Sequence, residues 1–156
     1  MKPTFRIAPR LLIVEDSDED FETLSRIIDR VSLFPIDIQR CIDGDDALDF
    51  LNKEGKYSEM NIGLNPELIL LDLNLPGTDG REVLTVIKNS QNLKTIPVVV
   101  ISTSSNPQDI KTSYQFGVNS YMLKPMNITE FSHSVRTLLE YWFTVTTLPT
   151  KEYFKR

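Results

Sequence analysis

The sequence is poor in the residues that build disulfide frameworks, glycine-rich phosphate loops and basic nucleic-acid surfaces. Its 156 residues include one cysteine, one histidine and six glycines. A single cysteine excludes an internal disulfide, so a reducing compartment is allowed but not required. The 22 acidic residues outnumber the 17 basic ones, and the resulting net charge of −5 argues against binding to a nucleic-acid backbone.

Long apolar runs are also missing from the sequence. No stretch approaches the ~18 apolar residues that a membrane span needs, and the first six residues lack the apolar region of a secretory signal. We therefore expect a cytoplasmic protein, by default rather than from a targeting signal. Cys41 lies in an alternating apolar and polar stretch, which predicts an inert thiol that is buried or half-buried.

The chain does contain short apolar runs that end abruptly in charged or hydroxyl residues. These runs are 11–14 before Glu15 and Asp16, 68–71 before Asp72, 98–101 before Ser102, and 120–123 before Lys124. Each run has the length and composition of a buried strand. Because functional sites of open α/β sheets lie outside the carboxyl ends of the strands, we expect these polar side chains to converge there.

Strands alternate with amphipathic helices along the whole pattern. The predicted strands are 10–15, 36–42, 67–72, 97–102 and 119–123, with a helix after each. The second strand is half-polar and reads as an edge, whereas the first, third and fourth are almost wholly apolar. Right-handed crossovers then predict an α/β fold, a flavodoxin-like doubly wound five-stranded parallel sheet of order 2-1-3-4-5 with helices on both faces.

In this strand order Glu15, Asp16 and Asp72 become neighbours. Crowded carboxylates repel one another unless a cation joins them, and a set of oxygen ligands favours a hard divalent ion such as Mg²⁺. The backbone carbonyl of Asn74 is a further candidate ligand two residues after Asp72. At such a site, Asp72 can act as a nucleophile toward a phosphoryl group, with Lys124 as a charged partner of the phosphate.

These motifs resemble those of receiver domains of two-component response regulators. The matching segments are 13–16, 70–76 with Asp79 and Gly80, 97–102, and Lys124 with Pro125. The likeness runs from about residue 10 to 143. We therefore expect an N-terminal extension at 1–9, a receiver domain at 10–143 and a C-terminal tail at 144–156.

The resemblance implies a role for each candidate site residue. Asp72 is the expected phosphoacceptor, Lys124 is its phosphate partner, and Ser102 is the switch hydroxyl. Tyr121 is the aromatic residue that turns inward when Ser102 moves. Thr103 and Asn74 match positions that tune the lifetime of the phosphate. The implied Mg²⁺ ligands are Asp16, Asp72 and the Asn74 carbonyl, with Glu15 acting through water.

Three further segments, 55–66, 79–84 and 142–149, resemble the small single-domain regulators paired with cyanobacterial and bacterial phytochrome kinases. That likeness implies a partner histidine kinase of phytochrome type and no enzymatic activity beyond slow self-dephosphorylation. Members of the subgroup tend to dimerise through their fourth and fifth helices and the C-terminal segment. Three adjacent aromatic residues point in different directions around a helix, so one sheet cannot bury them all. We expect a homodimer with Tyr141, Trp142, Phe143 and Leu148 at its interface.

Three other functions remain open at this point. The chain could be a receiver-like docking module that is never phosphorylated, or a small phosphatase with an aspartyl-phosphate intermediate. Phosphatases of the haloacid dehalogenase type usually carry a second acid two residues after the nucleophile, and this chain has Asn74 there. A flavodoxin-like cofactor carrier would need a glycine-rich loop after the first strand, where this chain has acids that repel a phosphate. The loop at 55–66 could contact a partner or be a solvated insertion.

Overall fold

Five short parallel strands form the central layer of the molecule. The computed structural model describes residues 8–59 and 65–149, so most of the predicted 1–9 extension and the end of the 144–156 tail lie outside the described residues. The strands are β1 Arg10–Val14, β2 Asp37–Cys41, β3 Leu68–Leu71, β4 Val98–Ser102 and β5 Ser120–Leu123. Their order is β2-β1-β3-β4-β5, with every neighbouring pair parallel. The predicted fold and strand order are confirmed.

A capped helix follows each strand. The helices are α1 Asp18–Val31, α2 Gly44–Asn52, α3 Gly80–Asn89, α4 Pro107–Gln115 and α5 Ile128–Glu140. The N-cap side chain of every one of them accepts a hydrogen bond from a backbone N–H in the first turn. These bonds satisfy amides that would otherwise lack partners and fix where each helix begins. The caps thereby set the length of the loops that carry the polar strand-end residues.

Alternate side chains of the strands face two separate apolar cores. One core packs α1 and α5 against residues such as Leu11 and Ile13, and the other packs α2 and α3 against residues such as Leu12 and Val14. Burial on both faces explains why these strands are almost wholly apolar. Cys41 belongs to the second core and is fully buried, and this burial raises the pKa of its thiol to about 12.

The helix α4 is attached to the sheet much more loosely than the others. Ser113 is its one buried residue, whereas Tyr114 is 50% exposed. The Tyr114 hydroxyl accepts a hydrogen bond of 3.2 Å from the backbone N–H of Tyr121 in the edge strand β5. Polar contacts therefore hold α4 in place more than apolar burial does.

The C-terminal segment corrects part of the predicted dimer interface. After α5 the chain enters a π-helical turn at Tyr141–Val145, closed by a bond from Thr146 N–H to the Tyr141 carbonyl. Phe143 in this turn and Leu148 after it are each only 2% exposed, and both belong to the α1–α5 core. Both side chains were expected at a dimer interface, but they pack instead within the chain against α1 and α5. The α-helical spacing behind the expectation for Phe143 does not apply, because this residue lies in the π-helical turn. Tyr141 remains exposed and Trp142 is half-buried.

The described part of the 55–66 loop is anchored to α2. It contains a 3₁₀ turn at Gly55–Tyr57, and the Tyr57 hydroxyl donates to Asp46 Oδ1 at 2.7 Å. The Tyr57 ring also meets Phe50 edge-on, with ring centroids 5.2 Å apart. Residues 60–64 lie outside the described residues. Across 8–59 and 65–149, no helix is long and apolar enough to cross a membrane.

Gly80 provides a test of how tightly α3 packs beneath the site. A Cβ at this position would lie 2.7 Å from the Leu73 Cα and would also clash with the carbonyl oxygen of Asp72. Both neighbours are backbone atoms, so relief requires a shift of the chain itself. We expect Gly80→Ala to lower the free energy of unfolding by about 1–3 kcal/mol in urea denaturation. The control Glu82→Ala removes an exposed acid in the same turn and should cost less than about 1 kcal/mol; equal losses would contradict the proposed clash.

Candidate functional site

Three carboxylates meet at the carboxyl edge of the sheet. One oxygen each from Glu15, Asp16 and Asp72 lies within 4.8 Å of the others. The parallel register pairs Val14 with Leu71, and the Asp72 N–H donates to the Val14 carbonyl at 3.1 Å. The residues that follow the two strands are therefore side by side. Glu15 is buried, Asp72 is partly buried and Asp16 is exposed.

Lys124 reaches into this group of acids from the end of β5. Its Nζ lies 3.2 Å from Glu15 Oε2, 3.8 Å from Asp20 Oδ2 and 3.9 Å from Asp72 Oδ2. The nearest acid is thus Glu15 and not Asp72. Asp20, in the first turn of α1, is a fourth acid near Lys124 that the pattern of strand-end residues did not predict. Its role near Lys124 depends on the packing of α1, which the local sequence does not signal.

Burial dominates the electrostatics of Glu15. Removal from water raises the pKa of Glu15 to about 7, and the Asp72 charge adds to this rise. Lys124 acts in the opposite direction, through its charge and a hydrogen bond, but it does not offset the burial. The site therefore carries unfavourable negative charge that an added cation would relieve.

The donor set fits a hard divalent cation. All three clustered side chains offer carboxylate oxygens, and the exposure of Asp16 leaves one side open for waters and phosphate oxygens. Asn74 is exposed, and its N–H donates to Asp72 Oδ1 at 3.0 Å. The turn after β3 therefore folds back on Asp72. Nothing in this set resembles the thiolate or imidazole ligands of softer metals.

Ser104 links the two predicted switch side chains, and sequence reasoning did not identify it. Ser102 is buried, and its Oγ accepts a bond of 3.1 Å from the Ser104 N–H. The half-buried Tyr121 donates its hydroxyl to the Ser104 carbonyl at 2.9 Å. Thr103, between the two serines, is exposed. Both switch side chains thus depend on the position of the same residue.

A polar network extends from Ser104 to α3. The Ser104 hydroxyl donates to Asp109 Oδ2 at 2.7 Å, and Asp109 Oδ1 accepts from Arg81 Nη2 at 3.0 Å. Arg81 is also paired with Asp79, the N-cap of α3. Both the hydroxyl and the guanidinium hold the pKa of Asp109 below its ordinary value. The partners Arg81 and Asp109 are 28 positions apart, and no local pattern predicts such a pair.

The remaining predicted surface lies away from the acids. Tyr141 and Trp142 line a groove between β5 and α5, together with Met122 and Leu138. The two aromatic rings meet edge-on with centroids 5.2 Å apart. His133, the chain's one histidine, is exposed beside the same groove and does not belong to the site.

Comparisons with known proteins agree with this geometry. The family model described as response regulator receiver domain matches residues 11–136. Response regulator Rcp1 of Synechocystis sp. is 40% identical over 139 residues, which cover 89% of this chain and 92% of Rcp1. The phosphorylated cyanobacterial phytochrome response regulator RcpA has a TM-score of 0.85 at 40% identity, covering 92% of this chain and all of that chain.

A second solved structure bears on the metal. The Mn²⁺-bound form of response regulator Rcp1 has a TM-score of 0.82 at 39% identity, covering 91% of this chain and 99% of that chain. Rcp1, a relative of the same fold, thus binds a divalent ion. The clustered acids of the present chain supply ligands suited to the same class of ion.

Metal binding at the acid cluster can be tested with Mn²⁺ by isothermal titration calorimetry. We expect Asp72→Asn to weaken binding at least about tenfold, because it replaces a carboxylate ligand by a neutral amide. Asp37→Asn is the matched control: it makes the same charge change at an exposed position of β2. Its affinity should stay within about twofold of the wild type, because salt screens distant exposed charges. Equal losses in the two variants would show that Mn²⁺ responds only to net charge.

Proposed function

The chain belongs to the response regulator receiver domain family, and from this membership we propose that Asp72 accepts a phosphoryl group from a sensor histidine kinase of phytochrome type. The observation that carries the proposal is the placement of Asp72 beside two further acids and Lys124 at one edge of the sheet. The likeness to RcpA and Rcp1 over nearly their full lengths supports a phytochrome partner and a single-domain regulator. We also propose a cytoplasmic location, where such kinases present their phosphohistidine.

In the proposed reaction, a carboxylate oxygen of Asp72 attacks the phosphorus of a kinase phosphohistidine. A new O–P bond forms while the N–P bond breaks, and the imidazole leaves. Bound Mg²⁺ would neutralise charge on the transferring group. Asp16 and Asp72, with the Asn74 carbonyl and with Glu15 through water, are the residues proposed to hold it. Lys124 would exchange its contact with Glu15 for a phosphoryl oxygen, as a mobile point charge.

Phosphorylation would then act on the Ser104 junction, the bonds by which Ser104 contacts Ser102, Tyr121 and Asp109. The phosphoryl group adds about −1.5 to −2 charge and strong acceptor oxygens near Ser102. Movement of the Ser102 Oγ toward the phosphoryl group, to donate to it, would break the bond from the Ser104 N–H. Tyr121 loses its fixed acceptor when Ser104 moves, and the surface formed by α4, β5 and α5 changes with it. The sparse burial of α4 keeps the cost of this change low.

The other functions have less support. A phosphatase would need a general acid, and the position two residues after Asp72 is an exposed asparagine. Thr103 and Asn74 are exposed, and we propose that they control how slowly water removes the phosphoryl group. A docking module that is never phosphorylated would have no use for the converging acids and lysine. A flavin phosphate would be repelled by Glu15 and Asp16.

Phosphorylation can be tested by intact mass after incubation with acetyl phosphate and magnesium. We expect the wild type to gain one phosphoryl group, because Asp72 is partly accessible and lies beside the cation site. Asp72→Asn should gain none, whereas Asp37→Asn, which makes the same charge change elsewhere, should behave as the wild type. Labelling of Asp72→Asn at the wild-type level would rule out this acceptor. Repeated turnover of p-nitrophenyl phosphate would instead favour the phosphatase.

We further propose a homodimer that uses the groove beside β5 and α5. The supporting observations are the 52% exposure of Tyr141, its contact with Trp142, and the groove that both rings line with Met122 and Leu138. Exposed aromatic side chains of this kind are typical of protein interfaces. A symmetric dimer is the simplest assembly that would cover it.

The dimer is testable by sedimentation velocity. We expect Tyr141→Ala and Trp142→Ala each to shift the population toward the monomer, because each removes an aromatic side chain from the proposed contact. Leu33→Ala is the control, since it removes an 88% exposed apolar side chain after α1. An unchanged mass distribution in both aromatic variants would contradict this interface.

A further inference from the structure

Arg40 lies on the edge strand β2, and its side chain hydrogen-bonds to the loop that carries two acids of the site. Its Nε and Nη2 each lie 3.1 Å from the Glu15 carbonyl oxygen, to which they donate. Nη2 also reaches the carbonyl oxygen of Asp16 at 3.4 Å. These contacts are with the backbone of Glu15 and Asp16 and not with the carboxylates that face Asp72.

The guanidinium is itself fixed from two sides. Its Nη1 lies 2.7 Å from Asp18 Oδ1 in the first turn of α1, and its Cζ stands 4.7 Å from the centre of the Phe21 ring. The Arg40 side chain is only 20% exposed. A planar group with several fixed donors loses little freedom when it forms these bonds, so it makes an effective brace. The brace connects β2, the β1–α1 loop and α1.

The loop needs such a brace because its side chains repel Asp72. The strand β2 holds both backbone polar groups of Glu15. The Glu15 N–H donates to the Cys41 carbonyl at 3.0 Å, and the Glu15 carbonyl accepts from Arg40. Without Arg40, the segment between Val14 and α1 could turn its acids outward to reduce the repulsion. The three carboxylates would then no longer be arranged in advance around one ion.

We propose that Arg40 is a positioning residue for the divalent cation, acting through the backbone of Glu15 and Asp16. This inference rests on the proposed function only in taking the acid cluster as the cation site. This positioning role can be distinguished from a direct effect of the Arg40 charge, because the two predict opposite changes in cation affinity when Arg40 is removed. A positive charge near a cation site weakens binding, so charge alone predicts that removal of Arg40 tightens it. Positioning predicts that removal of Arg40 weakens it.

The test is the Mn²⁺ affinity of Arg40→Met, measured by calorimetry on the full chain. Methionine keeps an unbranched apolar stem but removes the charge, every donor and the guanidinium contact with the Phe21 ring. We expect affinity to fall by about tenfold, the lower end of the range for outer partners of metal ligands. Arg26→Met is the matched control: it removes the same charge from a side chain of α1 that is 76% exposed. Its affinity should equal or slightly exceed that of the wild type.

Arg40→Lys separates charge from geometry and serves if Arg40→Met folds poorly. The ammonium keeps the charge but has no planar fork to hold both carbonyls, so the affinity should fall here too. Amide hydrogen exchange at Asp16 and Ser17 should quicken in both variants while the strands stay protected. The proposal would be overturned if the wild type binds Mn²⁺ and both Arg40 variants bind it equally tightly or more tightly. Failure of the wild type to bind Mn²⁺ would instead count against the cation site itself.

Discussion

Electrostatic repulsion among Glu15, Asp16 and Asp72 is the constraint around which the rest of the structure is organised. Their oxygens lie within 4.8 Å of one another, an arrangement that an unsupported chain would avoid. The backbone supplies the support, through the parallel pairing of β1 with β3 and the bond from Asp72 N–H to the Val14 carbonyl. An ion that binds this group stabilises the folded chain, so metal affinity and fold stability are linked.

Much of the fold and part of the site follow from local sequence pattern. Apolar runs that end in polar residues predicted four of the strands, and right-handed crossovers with a half-polar edge strand predicted the order. The meeting of Glu15, Asp16 and Asp72 followed, because strand ends in such sheets converge by topology. The burial of Phe143 could not be predicted in this way, because the spacing of apolar residues does not reveal a π-helical turn. The bonds of Ser104 and Arg40 also escaped prediction. Arg40 donates to backbone carbonyls 24 and 25 positions away, and Tyr121 donates to Ser104 across 17 positions; such pairs leave no periodic signal.

The Ser104 junction explains how a small chemical change could reach a whole surface. The resting positions of Ser102 and Tyr121 are defined by the N–H and the carbonyl of one residue. Its hydroxyl is held by Asp109 and, through it, by Arg81. An arrangement in which only one of the two side chains has moved would leave polar groups without partners. Two discrete conformations are therefore favoured over a gradual series, and a phosphoryl group has to favour one of them by only a few kcal/mol.

The bond between Tyr114 and the edge of the sheet has a consequence for aggregation. An unpaired N–H on an outer strand is a template on which an extended segment of another chain can add. The Tyr114 hydroxyl occupies that donor on Tyr121 in the resting structure. A displacement of α4 large enough to withdraw the tyrosine would uncover the donor during signalling. The tyrosine that joins the helix to the strand thus also blocks one point at which another chain could pair with this edge.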